Sequence, residues 1–218
     1  MNKKGFIFDL DGVIVDTAKY HFLAWKKLAN EIGIDFTAKQ NEQLKGVSRV
    51  KSLEKILSWG KKEISQEQFT ELMAKKNTDY MSFIADMTAD EILVDVPKTL
   101  NFLIAKKQSI ALGSASKNAR EILRKVNLFD KFEVIVDGNN VSKAKPDPEV
   151  FLNAADSLNI AANECIVFED SVAGVQAANK ANMISIGIGD SEVLHEATYV
   201  FKDFTEISIE FIEKLINK

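Results

Sequence analysis

Residues 5–13, Gly5-Phe6-Ile7-Phe8-Asp9-Leu10-Asp11-Gly12-Val13, decide how the chain is read. A short apolar run ends in two acids one residue apart. Such a run suits a buried strand over 5–10 whose C-terminal end opens into a site.

Two rhythms follow. From Thr17 to about Ile84 the pattern is helical. Phe22, Trp25, Leu28, Ala29 and Ile32 recur at spacings of three and four, and Gly33 stops that helix. Leu53, Ile56 and Leu57 mark a second helix, and Phe69, Leu72, Met73, Lys76, Tyr80 and Phe83 a third. No strand-like alternation interrupts them, so an all-helical insertion is expected.

After about residue 95, helices over 98–106, 117–126, 149–158 and 172–181 alternate with strands over 109–112, 133–136, 165–168 and 183–186. An edge strand at 199–201 and a helix over 206–216 close the chain. Strands alternating with helices imply right-handed crossovers and a parallel sheet, which strand 5–10 joins. In α/β sheets of this kind, ligands bind beyond the carboxyl ends of the strands.

Composition sets the outer limits. The 218 residues, 46% hydrophobic and 28% charged, suit one large globular domain or one carrying an insertion. The net charge of −4 gives no general attraction to nucleic acid or anionic lipid, so any phosphate site must be local. The single cysteine, Cys165, excludes an internal disulfide. Only three apolar residues in a row follow the lysines at the start, against the ~7–15 of a secretory signal. No apolar run approaches the ~18 residues of a membrane span. No nucleic-acid or membrane partner is expected, and the expected compartment is the cytoplasm.

Four predicted strand ends carry polar clusters. Asp9 and Asp11 follow the first strand; Gly113-Ser114-Ala115-Ser116-Lys117-Asn118 follows the second. Lys143-Ala144-Lys145-Pro146-Asp147-Pro148 precedes helix 149–158, and Glu169-Asp170-Ser171 follows strand 165–168. Carboxylates gathered at one site repel, so some must protonate or hold a cation. Oxygen ligands without nearby Cys or His select Mg²⁺. The plainer alternative makes these acids N-caps of the following helices. Ser114 and Ser116, with backbone N–H groups at a helix start, suit a phosphate or are simple N-caps. Lys145 could neutralise a phosphoryl group or be a surface lysine. Together the clusters suit phosphoryl transfer, with a carboxylate nucleophile and a second carboxylate as general acid and base.

The ordered motifs Asp9-Leu10-Asp11-Gly12-Val13 with Asp16-Thr17, then Ser114, then Lys145-Pro146-Asp147-Pro148, then Glu169-Asp170, resemble the haloacid dehalogenase superfamily. The stretches 16–25, 41–49 and 114–118 look like its sugar-phosphate mutases. The resemblance implies a Rossmann-like α/β core, residues 1–15 and 88–218, with a helical cap, 16–87, inserted after the first strand. It implies Asp9 as the nucleophile and Asp11 as the general acid/base. Mg²⁺ would sit on Asp9, the main-chain carbonyl of Asp11 and Asp170, with Glu169 beside it. Ser114, Ala115 and Lys145 would hold the transferring phosphoryl group. Gly46, Val47, Ser48, Arg49, Ser116, Lys117 and Asn118 would bind the sugar phosphate, and His21 would lie near Asp11. The implied activity interconverts β-glucose 1-phosphate and glucose 6-phosphate, with β-glucose 1,6-bisphosphate as primer and intermediate. Segments 58–64, 138–144 and 188–218 carry no such likeness.

The insertion's own residues leave choices open. Arg49, after a small-residue turn, can fork onto phosphate or be a solvated helix start. Lys76, on an apolar stripe, either snorkels to an edge or faces an anion. His21 is a ligand-side group or a buried structural histidine. Trp25 reads as apolar packing beside it and counts among the substrate-binding candidates. A phosphatase on the same fold is the main alternative to a mutase. A mutase needs a second anion site and a closing cap that excludes water. A non-catalytic sensor needs no nucleophile, and a dehalogenase needs no Mg²⁺ cage. Because a closing cap needs free space, a monomer is expected.

Overall fold

The computed structural model describes residues 3–218. β1 (Gly5–Phe8) lies inside a six-stranded sheet with β2 (Ser109–Gly113), β3 (Val134–Val136), β4 (Cys165–Glu169), β5 (Ile184–Ile188) and β6 (Tyr199–Phe201). The spatial order is β3-β2-β1-β4-β5-β6, and every pair is parallel. The chain therefore runs outward from β1 through β2 to β3, then crosses back to β1's other side. Where the order reverses, between β1 and β4, a crevice opens at the strand ends.

Burial on both faces explains the apolar runs. Phe6, Phe8, Ile110, Leu112, Ile166 and Phe168 face α5 (Val96–Ala105), α6 (Ala119–Lys125) and α9 (Ile209–Asn217). Ile7, Ala111 and Val167, alternate with these, face α7 (Glu149–Leu158) and α8 (Val172–Lys180). Phe8 stacks on Phe168 with centroids 4.6 Å apart, which ties β1 to β4 just below the acids.

Between β1 and α5 stand α1 (Ala18–Glu31), α2 (Ala38–Glu42), α3 (Arg49–Trp59) and α4 (Gln66–Phe83). They form a helical cap with its own core, including Trp25, Leu28, Phe36, Leu53 and Ile56. Capping boxes Thr37/Gln40 and Ser65/Gln68 start α2 and α4, and Ser48 caps α3. The chain leaves and re-enters the core side by side: Asp16 N–H donates to Glu91 O at 2.9 Å, and Leu93 N–H to Ile14 O at 3.0 Å.

Several boundaries differ from expectation. The first strand stops at Phe8 rather than residue 10, because Leu10–Val15 curl into a turn closed on Leu10 O. The helix expected over 117–126 starts at Ala119. Hydroxyls of Ser114 and Ser116 take the N–H groups of residues 116 and 118 and fold a turn ahead of it. The strand expected over 183–186 runs from 184 to 188. The last helix spans 209–217, after a separate single turn at 204–206. At five residues, α2 is too short to show a period.

Candidate active site

The β1–β4 register pairs Phe8 with Phe168, so Asp9 and Glu169 emerge side by side. Lys145, following a loop from β3, reaches under both. Its Nζ lies 2.5 Å from Asp9 Oδ1 and 2.7 Å from Glu169 Oε2. All three side chains are buried. The other Glu169 oxygen accepts from the Ser171 hydroxyl at 2.7 Å and the Ser171 N–H at 3.0 Å. Burial pushes Asp9 up to about 7 against the pull of Lys145, with Glu169 and Asp11 adding to the rise. Burial also works against the charge on Lys145, but Asp9 and Glu169 hold its pKa above the usual lysine value.

Asp9, Glu169 and Asp170 offer carboxylate oxygens that lie within 4.8 Å of one another. Burial, then Glu169 and Asp9, push Asp170 well above the carboxylate range. This all-oxygen, anion-rich donor set is short of positive charge and fits a hard divalent cation. Asp11 stands apart from that group. Its carboxylate accepts from the Thr17 hydroxyl and lies 3.7 Å from His21 Nε2. Burial works to raise Asp11, but His21, Thr17 and Lys76 together hold it below its usual value.

None of the four acids is an N-cap. Ser171 caps α8, and Thr17 stands before α1. The carboxylates face one another and Lys145 instead.

A cavity of about 530 Å³ lies between these strand ends and the cap. Asp9, Asp11, Asp170, Ser114, Ala115, Ser116, Lys117 and Asn118 line it from the core. His21, Trp25, Gly46, Val47, Ser48, Arg49 and Lys76 line it from the cap. Of the candidate catalytic, substrate-binding and metal residues, only Lys145 and Glu169 lie outside its wall, with Lys145 joining Glu169 to Asp9.

Lys76 does not snorkel; only 2% of it is exposed. Its Nζ sits 4.8 Å from the Trp25 ring, 4.6 Å from the Tyr80 ring and 3.0 Å from His21 Nδ1. Burial and the Arg49 charge lower it to about 7. Burial and Lys76 likewise lower His21. When a protonated Lys76 donates to Nδ1, the neutral His21 ring carries its proton on Nε2, toward Asp11. Trp25 belongs both to the cap core and to the cavity wall. Arg49, half-buried at the start of α3, has no hydrogen-bond or ion-pair partner among the described residues. Gly46 has φ +68°, and a Cβ there would collide with the Ser171 hydroxyl. The cap loop therefore rests directly on the core.

Sequence reading missed several contributors. Lys45 lies 3.9 Å from Asp170 Oδ2, and Asn77 Oδ1 accepts from Asn118 Nδ2 at 3.0 Å. Their signal is adjacency to Gly46 and Lys76. Gly138, Val141 and Ser142, from a segment without family likeness, also line the cavity, beside Lys143 and Ala144 of the polar cluster already noted. Apart from its closeness to Lys145, nothing in that segment marks it.

A parallel sheet with acids at its switch point, roofed by a helical insertion, defines a capped α/β enzyme with an acidic centre. The chain belongs to the haloacid dehalogenase-like hydrolase family, whose model matches residues 3–182. It is 40% identical to a beta-phosphoglucomutase of Bacillus subtilis, over 97% of this chain and 94% of that one. It is 30% identical to a phosphorylated carbohydrates phosphatase of Thermotoga maritima, over 88% and 89%. Among solved structures, a beta-phosphoglucomutase from Clostridium difficile superposes with a TM-score of 0.95 at 42% identity, covering 99% of this chain and 98% of that one.

Proposed function

We propose that the chain is a phosphohexomutase interconverting β-D-glucose 1-phosphate and D-glucose 6-phosphate. One observation carries this reading. The cavity holds the Asp9–Asp11 pair together with three basic side chains, Arg49, Lys76 and Lys117, that form no ion pair among the described residues. An aspartate pair for one phosphoryl group and spare cations for another suit a hexose bisphosphate. The likeness to beta-phosphoglucomutases over nearly the whole chain supports it.

In this reading an Asp9 oxygen attacks the phosphorus of the bisphosphate, and the bond from phosphorus to the sugar oxygen breaks. Asp11, ionised in the free protein, returns to that departing oxygen the proton it took from a sugar hydroxyl in the other half-reaction, with His21 orienting it. The phosphoryl group stays on Asp9 as an acyl phosphate, where Ser114, the Ala115 backbone and Lys145 balance its charge. The sugar phosphate turns over, and Asp11 takes the proton of the other hydroxyl as that oxygen attacks. β-Glucose 1,6-bisphosphate is thus both primer and intermediate. Asp9, Asp170 and the main-chain carbonyl of Asp11 would hold Mg²⁺, with Glu169 beside it. Bound there, the ion would neutralise charge on the transferring group. Gly46, Val47, Ser48, Arg49, Ser116, Lys117 and Asn118 bind the sugar phosphate, and Trp25 and Lys76 close the cavity over it. The cap comprises 16–87 and the core 1–15 and 88–218. The enzyme works as a cytoplasmic monomer.

The test is ³¹P NMR with Mg²⁺, β-glucose 1-phosphate and a trace of the 1,6-bisphosphate. Growth of glucose 6-phosphate without inorganic phosphate is expected. Stoichiometric inorganic phosphate would overturn the proposal in favour of a sugar-phosphate phosphatase.

A further inference from the structure

Asn77 follows Lys76 on α4 but does not line the cavity. Its Oδ1 instead accepts the 3.0 Å hydrogen bond from Nδ2 of Asn118, in the loop after β2 that also carries Ser114–Lys117. A cap helix is thereby joined to the core by a neutral side-chain bond. The other close cap–core approaches near the acids, Lys45 to Asp170, Gly46 to Ser171, and Thr17 and His21 to Asp11, involve one of the acids or its neighbour. Asn77 touches neither. The same helix brings Lys76 against His21, and His21 faces Asp11 across the cap–core boundary. A bond that fixes α4 on the core therefore also fixes the His21–Lys76 pair above Asp11.

We propose that Asn77 is a positioning residue. Its amide oxygen latches the cap to Asn118 and so decides how the phosphoryl group on Asp9 divides between a sugar hydroxyl and water. The inference rests on the mutase reading above. Water reaches Asp9 when the cap lifts, whereas the sugar hydroxyl reacts when the cap is down. One neutral hydrogen bond shifts such an equilibrium by roughly 2- to 10-fold. The change falls on the ratio of inorganic phosphate to glucose 6-phosphate, while the rate of Asp9 phosphorylation stays much the same.

The experiment compares wild type, Asn77→Ala and Asn77→Asp in full-length protein, by ³¹P product ratio and by small-angle X-ray scattering without substrate. Aspartate keeps an accepting oxygen at the same place. Expected for Asn77→Ala is a rise of about 5-fold in the phosphate-to-isomer ratio, with a larger radius of gyration. Expected for Asn77→Asp is a wild-type ratio and radius, with any loss confined to KM. A folded Asn77→Ala with the wild-type ratio and radius would overturn the latch, as would an Asn77→Asp that behaves like alanine. A wild type that releases only inorganic phosphate would overturn the mutase reading instead. Scattering would then still decide the latch, since it requires no turnover.

Discussion

At the strand ends, buried charges answer one another. Asp9, Lys145 and Glu169 form a closed network in which the lysine contacts both acids within 2.7 Å. Under the cap, buried charges are left unanswered. Arg49 has no partner among the described residues, and Lys76 meets only aromatic rings and an imidazole. Lys145 thus holds two of the core acids in place without a ligand, while the cap side offers unpaired basic groups to an anion. In the proposed reaction one wall reacts and the other recognises. Closing the two walls together is then part of the chemistry.

The contrast can be broken from either side. The largest effect is expected from Asp9→Asn, which removes the nucleophile but keeps its shape. Turnover should fall by at least ~10³-fold in a coupled assay for glucose 6-phosphate, with the fold retained. Full activity would transfer the nucleophile's role elsewhere.

Lys145→Met comes next. It strands two buried carboxylates, so about 3–5 kcal/mol of stability should be lost. For a chain this long that lowers Tm by roughly 10 °C. Added Mg²⁺ should return part of the loss if the acids hold it as proposed. Thermal unfolding with and without the ion is the check.

Arg49→Ala acts on the other wall. Because Arg49 stabilises nothing in the ligand-free protein, Tm should stay within about 1 °C of wild type, as for a surface change. KM should rise by about 10- to 100-fold, as expected for a lost charge-assisted bond to phosphate. A large loss of stability with unchanged KM would erase the distinction between the walls.

The smallest effect sharpens it. Lys76 titrates at about 7, lowered first by burial and then by Arg49, against an ordinary value of 10.5. Between those pH values the unfolded chain holds a proton that the folded one has lost, so this group makes stability rise with pH. Lys76→Met should remove that slope and raise Tm near pH 6 by about 2–4 °C, while weakening sugar-phosphate binding. A bound anion should reverse the shift, so binding at pH 8 should take up protons, readable by calorimetry in two buffers.

Much of this was written in short-range pattern. The run Phe6–Phe8 announces a doubly buried strand, and the later strand–helix alternation announces a parallel sheet. The helical spacing between Thr17 and Ile84 announces an inserted unit, because each signal depends on neighbours within a turn or two. The core residues that line the candidate site were legible for the same reason, as polar clusters at strand ends. What the pattern left open was which residue faces which. Lys145 could have been a surface lysine until the crossover brought β4 beside β1 and Lys145 beneath both acids. Lys76 could have reached solvent until α1 laid Trp25 and His21 against it. Lys45 and Asn77 are marked only by standing next to Gly46 and Lys76, and Val141 and Ser142 by nothing local, since their importance comes from cap and core meeting across the cavity. By itself the sequence determined the elements and the chemical groups at their ends, which follow from local propensity and burial period. Only the tertiary structure decided the pairings of charge in the site, because these form between segments up to 136 residues apart and depend on strand order and cap placement.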